Sequence, residues 1–275
     1  MTADEARVST PRPIGGSLRR MPRARIAPRT IARSGDLIAE RDPLRPSGRL
    51  LRQGEMDASY IDLADPAHLE FDYMRWTRLV LRAAHARRVL HIGGGACALA
   101  RALAAEDPGG HQEVCEVDAR VLALARAHFG LRRAPGLRVR HAEGRAFVST
   151  QPDRSWDAIV IDAFVDATVP RTLITVQAVA ELARVAPLVL INVVDDRSAR
   201  DIRTIAAALV GAFPFVWAVG ARPGNTVLAA GDARLNLELI GAQAAADRSP
   251  ARVTSPAALA RLATGTVALR DEELE

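Results

Sequence analysis

The amino-acid sequence predicts an α/β protein with a doubly wound, mostly parallel seven-stranded sheet, an antiparallel last strand and a small N-terminal β-meander. Three observations carry this prediction. Short apolar segments alternate with helical patterns, which is typical of a parallel sheet covered on both faces. Three consecutive glycines separate the first of these strands from its helix. The alternation ends in "PFVWAVGARPGNTVLAAG", two apolar segments around a tight turn, which leaves no room for a crossover helix and predicts a hairpin.

The composition limits the classes of function. Of the 275 residues, 49% are hydrophobic and 25% are charged, which suits a globular protein of one ordinary domain or slightly more. The aromatic content of 4% argues against a stacking platform for nucleic acid, and the net charge of +5 rests on arginine alone, since the sequence has no lysine. The two cysteines, Cys97 and Cys115, fit a reducing cytoplasm, and no apolar run approaches the ~20 residues of a membrane helix. We expect a cytoplasmic protein with neither a membrane nor a nucleic acid as its partner.

The first part of the chain divides by composition. Residues 1–35 are rich in arginine and proline and lack apolar periodicity, which predicts a disordered basic arm. The turn-rich residues that follow predict two to four short strands, and Asp65 before Pro66 favours the start of a helix that should reach His85. The predicted division is a basic arm over 1–35, a small β-domain over 36–65, an α/β domain over 66–245 and a C-terminal tail with a short helix over 246–275.

The α/β domain is predicted to alternate regularly along the chain. Each apolar strand is followed by a helical pattern, so the carboxyl ends of the strands should meet at one edge of the sheet, where ligands bind in such folds. Strands are expected at 87–92, at 112–117 and in LRVRHA, WDAIVIDA and LVLINVV, and helices at 96–106, in ARVLALARAHFG, from Gly144, at 171–184 and at 198–211.

The turn after the first of these strands carries the clearest functional signal. Gly93, Gly94 and Gly95 stand between a strand and a helix, which is the context of a nucleotide-binding turn. In this interpretation the first glycine permits the tight turn and the third permits the close approach of a ligand. Glu116 ends the next strand about 20 residues later, where a carboxylate can accept both ribose hydroxyls of an adenosine. NAD and S-adenosylmethionine share those hydroxyls, so the choice between them stays open here. Asp118 is interpreted as a helix cap.

The terminal hairpin separates two classes of adenosine-binding protein. An antiparallel last strand is unusual for nicotinamide dehydrogenases and usual for class I S-adenosylmethionine-dependent transferases, so we expect a class I methyltransferase-like fold. In that class an acidic residue after the third strand often contacts adenine, which points to Glu143 and Gly144. His91 is interpreted as a buried core residue and Cys97 as a small apolar filler of the loop. Neither has neighbours of metal-ligand type, so no metal is expected.

Several segments resemble those of the spermidine synthases, the polyamine aminopropyltransferases. The segments FDYM, GGGAC, CEVD, AEGR and DAFVDATVP are similar to the family's Tyr-Gln, G-G-G-D-G, E-I-D, G-D-G or G-D-A, and D-S-S-D-P, in the same order, over about residues 36–231. The N-terminal meander is also typical of that family. The resemblance implies that Glu116 binds the ribose, that Glu143 lies near adenine, that Asp162 holds and deprotonates the attacking amine beside Tyr73, and that Asp166 contacts the substrate.

The resemblance also implies the reactants. The donor would be S-adenosylmethionine or its decarboxylated form, and the acceptor a polyamine, another small-molecule amine or another kind of acceptor, while a homodimer is left open. Three positions depart from the family's pattern. Ala96 replaces the aspartate that contacts the amino group of the donor, Met74 replaces the glutamine, and Asp166 stands one place late. A methyltransferase acting on an unknown small molecule and a non-catalytic adenosyl-binding protein therefore remain as alternatives.

Overall fold

The computed structural model describes residues 29–165, 167–195, 198–221 and 223–274, and it confirms the predicted fold class. A four-stranded antiparallel meander precedes an eight-stranded sheet. The strands are β1 Arg29–Ser34, β2 Leu37–Arg41, β3 Gly48–Gln53, β4 Met56–Asp62, β5 Arg88–Ile92, β6 His111–Glu116, β7 Leu137–His141, β8 Ala158–Ile161, β9 Leu188–Asp195, β10 Phe215–Gly220, β11 Gly224–Gly231 and β12 Arg252–Thr254. The helices are α1 Asp72–Ala83, α2 Ala98–Glu106, α3 Ala119–His128, α4 Gly144–Ser149, α5 Val176–Val185, α6 Arg200–Val210, α7 Leu237–Ala245 and α8 Pro256–Ala263, with 3-10 turns at Arg171–Leu173 and Asp271–Glu273.

The large sheet has the strand order β12-β10-β11-β9-β8-β5-β6-β7. Strands β5 to β9 run parallel to one another, whereas β11 lies antiparallel between β9 and β10. The predicted hairpin is therefore confirmed. Strand β12 pairs antiparallel with β10 and adds an eighth strand, inside the segment that the sequence predicts as a tail with a short helix. A strand of three residues is too short to show the alternating pattern by which strands are recognised in a sequence.

The hydrophobic core is divided between the two faces of this sheet, because successive strand residues point to opposite sides. Val89, Val160 and Leu190 face one side, where they pack with helices α1, α2, α3 and α7. Leu90 and Ile161 face the other side, with helices α4, α5, α6 and α8. Burial on both faces explains why the strands read as nearly continuous apolar runs. Among the described residues, none of the helices combines the length and the apolar character that crossing a membrane requires.

The N-terminal meander begins earlier than predicted. Strand β1 starts at Arg29, inside the segment 1–35 that the composition assigns to the basic arm, and it pairs antiparallel with β2. Ile31 and Ala32 pack against the main core and anchor the strand, but two apolar residues are too few to reveal it in the sequence. The meander has four strands, at the upper end of the predicted range. Residues 1–28 lie outside the described residues, so the basic arm stays a prediction there.

Helix α1 begins at Asp72 rather than at Pro66. Asp65 caps no helix, because its side chain accepts a hydrogen bond from the backbone N–H of Ala67 (3.1 Å) in a local turn. The segment between Asp65 and α1 is neither helix nor strand. Leu69 of this segment is 3% exposed and packs in the core. The predicted start is therefore wrong, because a good capping pair also stabilises an isolated turn.

A partly buried ion pair holds the first turn of α1. The Arg75 guanidinium donates to both carboxylate oxygens of Asp247 (2.7–3.1 Å) and to the carbonyl oxygens of Leu69 and Glu70 (3.1 and 2.7 Å). Burial opposes ionisation of Asp247, but the hydrogen bonds from Arg75 and from the backbone of Ser249 outweigh it, so the pKa of Asp247 is lowered. A lowered carboxylate pKa contributes stability above the usual aspartate pKa, and this contribution is lost as the pH falls through the lowered value. At neutral pH the pair therefore ties α1 to the segment after α7.

We expect Arg75→Met to lower the free energy of unfolding by about 1.5–3 kcal/mol, because it removes charge-assisted hydrogen bonds to the partly buried Asp247 carboxylate. Arg82→Met is the matched control. Arg82 lies on the same helix, but its ion pair with Glu106 is largely exposed on the arginine side and is worth at most about 1 kcal/mol. Urea denaturation at pH 7 measures both variants. Equal losses would show that the pair with Asp247 does not hold the helix.

Candidate functional site

The carboxyl ends of β5, β6, β8 and β9 meet at one edge of the large sheet, where ligands bind in open α/β folds. The glycine loop, residues 93–97, follows β5, and Glu116 ends β6. Asp162 follows β8, and Asn192 lies in β9. Tyr73 reaches the same place from α1. The structure thus brings together the glycines, Tyr73 and Asp162 as the sequence predicts, and it adds Asn192.

Each glycine of the loop is crowded by a different element. A Cβ on Gly93, whose φ is +75°, would lie 2.6 Å from the carbonyl oxygen of Asp162. A Cβ on Gly94 would lie 2.6 Å from a valine methyl group of β6. A Cβ on Gly95 would lie 3.1 Å from Cβ of Ser59 in the meander. Packing on three sides therefore accounts for three glycines, and at Gly95 the close neighbour is the meander instead of the ligand that the sequence suggests.

The last two residues of the glycine loop have buried side chains. Ala96 is fully buried and Cys97 is 2% exposed. Cys97 precedes α2 with a φ of +64°, and its backbone N–H donates to the carbonyl oxygen of Gly94 (2.6 Å), which closes a tight turn. Burial, and to a lesser degree the negative charge of Glu116, raises the pKa of the Cys97 thiol to about 12. The thiol therefore stays protonated, in agreement with its interpretation as a filler.

Glu116, at the end of β6, holds the glycine loop by accepting hydrogen bonds from its backbone. Its Oε2 accepts hydrogen bonds from the backbone N–H groups of Gly94 (3.3 Å) and Gly95 (3.2 Å), and its Oε1 accepts one from the N–H of Asp118 (2.9 Å). Because a carboxylate has about four acceptor positions, capacity remains for a ligand hydroxyl. The next residue, Val117, is 65% exposed and presents an apolar surface beside this carboxylate.

Two further acidic residues of this edge cap helices. Glu143 accepts hydrogen bonds from the backbone N–H groups at the second and third positions of α4 (3.0 and 2.6 Å). Asp118 accepts one from the second position of α3 (2.7 Å), as expected. Gly144 packs so closely on Ile92 that a Cβ would collide with it. Both oxygens of Glu143 are thus engaged by α4, and its contact with adenine stays a prediction.

Asp162 is the centre of a hydrogen-bonded group of three residues, which we call the Asp162 group. The Tyr73 hydroxyl donates to Oδ2 of Asp162 (2.9 Å), and the side-chain amide of Asn192 donates to Oδ1 (3.0 Å). Both donors are neutral, and no arginine or histidine of the described residues forms an ion pair with this carboxylate. When Asp162 is ionised, its carboxylate is therefore oriented by these donors without a compensating positive charge.

Burial controls protonation in the Asp162 group. It raises the pKa of Asp162, and the hydrogen bonds from Asn192 and Tyr73 oppose that rise without cancelling it. Burial, followed by the charge of Asp162, raises the pKa of Tyr73 well above the usual tyrosine value, so Tyr73 remains a donor at neutral pH. The raised pKa makes the Asp162 carboxylate a better proton acceptor than an exposed aspartate.

A small cavity lies beneath the glycine loop. Its walls include His91, Gly93, Cys97 and Asp162, and its volume of about 20 Å³ is enough for one water molecule. The His91 ring hydrogen-bonds to the side chain of Gln112 (3.0 Å), and burial lowers the pKa of His91 to about 4. His91 is therefore neutral at physiological pH and satisfied within the core, as predicted.

Two residues at this edge, Asn192 and Val117, are not predicted from the sequence. Asn192 stands out only as a single polar residue in the apolar run LVLINVV, and Val117 is marked by nothing except its place between two acids. Met74, which departs from the glutamine of the resembling family, is 4% exposed and packs in the core. Asp166 lies outside the described residues, so its predicted substrate contact stays a prediction.

Solved structures share this fold, although no protein-family model and no curated protein matches the sequence. A probable spermidine synthase from Corynebacterium glutamicum is 28% identical, with 87% of this chain and 95% of that chain covered and a TM-score of 0.79. A spermidine synthase in complex with the transition-state analogue AdoDATO is 18% identical, with 74% of each chain covered and a TM-score of 0.60. Human methyltransferase-like protein 13, in complex with SAH (S-adenosylhomocysteine), is 17% identical, with coverages of 72% and 94% and a TM-score of 0.52. The chain therefore has the class I fold of S-adenosylmethionine-dependent transferases.

Replacing Gly93 by alanine should destabilise the protein by clearly more than the ~1–2 kcal/mol that a left-handed backbone costs by itself. The additional loss arises because the new methyl group would collide with the carbonyl oxygen of Asp162. Gly54→Ala is the matched control, since Gly54 has a φ of +55° but nothing lies within 4 Å of its Cβ position. Chemical denaturation of the two variants gives the comparison. If Gly93→Ala loses no more stability than Gly54→Ala, the loop is not held by its contact with the end of β8.

Proposed function

We propose that this protein transfers an alkyl group from an adenosyl sulfonium to an amine, and that the reaction is aminopropyl transfer from decarboxylated S-adenosylmethionine to a polyamine. The observation that carries the proposal is the Asp162 group beside the glycine loop. A half-buried carboxylate without a cationic partner favours a cationic ligand, because unpaired charge away from water is costly. Both reactants meet this demand, since the donor is a sulfonium and the amine is protonated at neutral pH. The similarity to a probable spermidine synthase also supports aminopropyl transfer.

The donor site in this proposal follows the carboxyl ends of β5 and β6. Glu116 accepts the ribose hydroxyls with its remaining acceptor capacity, and Val117 offers an apolar surface to the adenine ring. Glu143 and Gly144 contribute the edge of the adenine pocket at the start of α4. Solved structures that share this fold are complexes with AdoDATO and with SAH, which supports an adenosyl ligand for this chain.

The proposed chemistry requires a proton acceptor. A protonated amine has no lone pair for attack, so Asp162 first takes one of its protons, with Tyr73 holding the carboxylate. The nitrogen lone pair then forms a bond to the carbon attached to the sulfonium. The carbon–sulfur bond breaks, its electron pair returns to sulfur, and the sulfur leaves as a neutral thioether. In aminopropyl transfer that thioether is methylthioadenosine.

Methyl transfer from S-adenosylmethionine is the second candidate, and one observation favours it. Ala96 is fully buried and apolar, so the amino group of a decarboxylated donor finds no carboxylate at that position. Asp162 would deprotonate the acceptor in the same way, and the thioether released would be S-adenosylhomocysteine. The third possibility is a protein that binds adenosyl ligands and catalyses no transfer.

Product analysis separates these possibilities. Purified protein is incubated with 1,4-diaminobutane and either S-adenosylmethionine or its decarboxylated form, and the nucleoside thioether is identified by chromatography. Methylthioadenosine together with an aminopropylated amine supports aminopropyl transfer. S-adenosylhomocysteine supports methyl transfer. Tight donor binding in calorimetry without either product, over a panel of amines, would leave a binding protein and overturn the proposed reaction.

For donor binding, Glu116→Ala should weaken the affinity for methylthioadenosine or S-adenosylhomocysteine about 10- to 150-fold, because a charge-assisted hydrogen bond is worth about 1.5–3 kcal/mol. Asp118→Ala serves as the control, since Asp118 lies two residues further on and caps α3. Isothermal calorimetry measures both affinities, and circular dichroism checks the fold. Unchanged affinity in folded Glu116→Ala protein would remove Glu116 from the donor site.

For the chemical step, Asp162→Asn should lower the turnover number by ~10²–10⁴ and change donor affinity far less, because the amide keeps the shape but accepts no proton. Asp157→Asn is the matched control at the opposite end of β8, where Asp157 binds backbone N–H groups of Arg87 and Arg88. Single-turnover rates with saturating donor measure the chemical step. Turnover in Asp162→Asn equal to that of Asp157→Asn would rule out a role for Asp162 as proton acceptor.

A further inference from the structure

Asn192 carries a polar atom that the proposed mechanism leaves unused. Its Oδ1 is buried and has no hydrogen-bond partner among the described residues. The orientation of the amide follows from chemistry, because only Nδ2 can donate to the Asp162 carboxylate. Oδ1 is therefore turned away from that contact. A buried acceptor without a partner is costly, and an apolar residue like the neighbouring Ile191 or Val193 would avoid the cost. Of the buried side-chain atoms without a partner among the described residues, only this one belongs to a side chain that hydrogen-bonds to Asp162.

We propose that Asn192 selects primary amines as acceptors: its Nδ2 fixes the Asp162 carboxylate while its Oδ1 accepts a hydrogen bond from an N–H of the attacking nitrogen. This inference rests on the proposed function, because it assigns the acceptor nitrogen to the Asp162 group. Asn192 lies in β9, between strands β8 and β11, and it pairs with Val227 of β11. The sheet fixes its backbone, and the hydrogen bond to Asp162 fixes the orientation of its amide.

The number of N–H groups on the nitrogen explains the selection. A primary ammonium has three N–H groups, and one proton passes to Asp162 before attack. Two N–H groups then remain, and they need acceptors while the lone pair points to the donor carbon. The oxygen of Tyr73, whose own proton is given to Asp162, can accept one of them, and Oδ1 of Asn192 can accept the other.

A secondary amine leaves this arrangement incomplete. After deprotonation it has only one N–H, so one of the two acceptors stays buried and unpaired, and a carbon substituent must occupy that direction. The nitrogen that has just been alkylated is such a secondary amine. Asn192 would therefore disfavour a second alkylation of the same nitrogen and direct the reaction to a single transfer per primary amino group.

The test compares the natural protein with Asn192→Leu, using Thr226→Val as the matched control. Thr226 also carries a buried side-chain oxygen without a partner in the described part of the chain, but it lies opposite Val193, on the other face of the sheet. The probes are 1,4-diaminobutane and its N,N′-dimethyl derivative, in which both nitrogens are secondary. The ratio of their kcat/KM values should favour the primary amine in the natural protein and in Thr226→Val, and it should fall about tenfold in Asn192→Leu. An unchanged ratio in folded Asn192→Leu overturns the inference.

A second measurement needs no turnover and separates this inference from the proposed function. If the natural protein alkylates neither these two amines nor any amine of the panel, the proposed function fails, and the same two amines are titrated by calorimetry into protein loaded with methylthioadenosine. A preference for the primary amine that Asn192→Leu loses would uphold the role of Oδ1. Equal binding of the two amines, or no binding of either, would overturn it. In parallel, carbon-13 NMR titration of the Asp162 carboxyl should show a higher pKa in Asn192→Leu, because the variant loses the donor that favours the ionised form. An unchanged pKa would overturn the role of Nδ2.

Discussion

The close packing of the glycine loop is the constraint on which the rest of the site depends. Gly93 lies against the backbone of Asp162, and Gly95 lies against Ser59 of the meander. Glu116 braces two N–H groups of the same loop. The turn that would bind the adenosyl group therefore also joins β5 to β6, to β8 and to the N-terminal strands. A side chain at either glycine would change more than access to a ligand, because it would move the glycine loop relative to the carboxylate of Asp162.

The charges of the groups around Asp162 constrain the site as strongly as the packing of the glycine loop does. The chain contains 37 basic residues, all arginine, yet the carboxylate of Asp162 is held by two neutral donors. An arginine in place of Tyr73 or Asn192 would lower the pKa of Asp162 and weaken it as a proton acceptor. It would also occupy the position that the cationic substrate of the proposed reaction needs. Neutral donors orient the carboxylate and leave its charge available, which suits both a sulfonium and an ammonium.

Long-range periodicity made the fold predictable, and local contacts decided where the prediction failed. The parallel strands are buried on both faces, so their apolar runs are visible in the sequence, and the Pro-Gly-Asn turn reveals the hairpin. Strands β1 and β12 are too short or too weakly apolar to be seen, and Asp65 favours an isolated turn as readily as a helix. Spacing along the chain placed Glu116 and Asp162 at the same edge. It could not reveal Asn192, because its role depends on which strand lies beside β8.

The ion pair between Arg75 and Asp247 affects the order in which the nascent chain can fold. It joins residues 172 positions apart, and it holds the helix turn that carries Tyr73. On the ribosome the glycine loop, Glu116 and Asp162 all emerge well before Asp247. Until that residue appears, the first turn of α1 lacks its partner, and closing so large a loop is slow compared with local folding. Nascent chains should therefore form the glycine loop and its contact with Glu116 first, and fix Tyr73 beside Asp162 only near the end of synthesis.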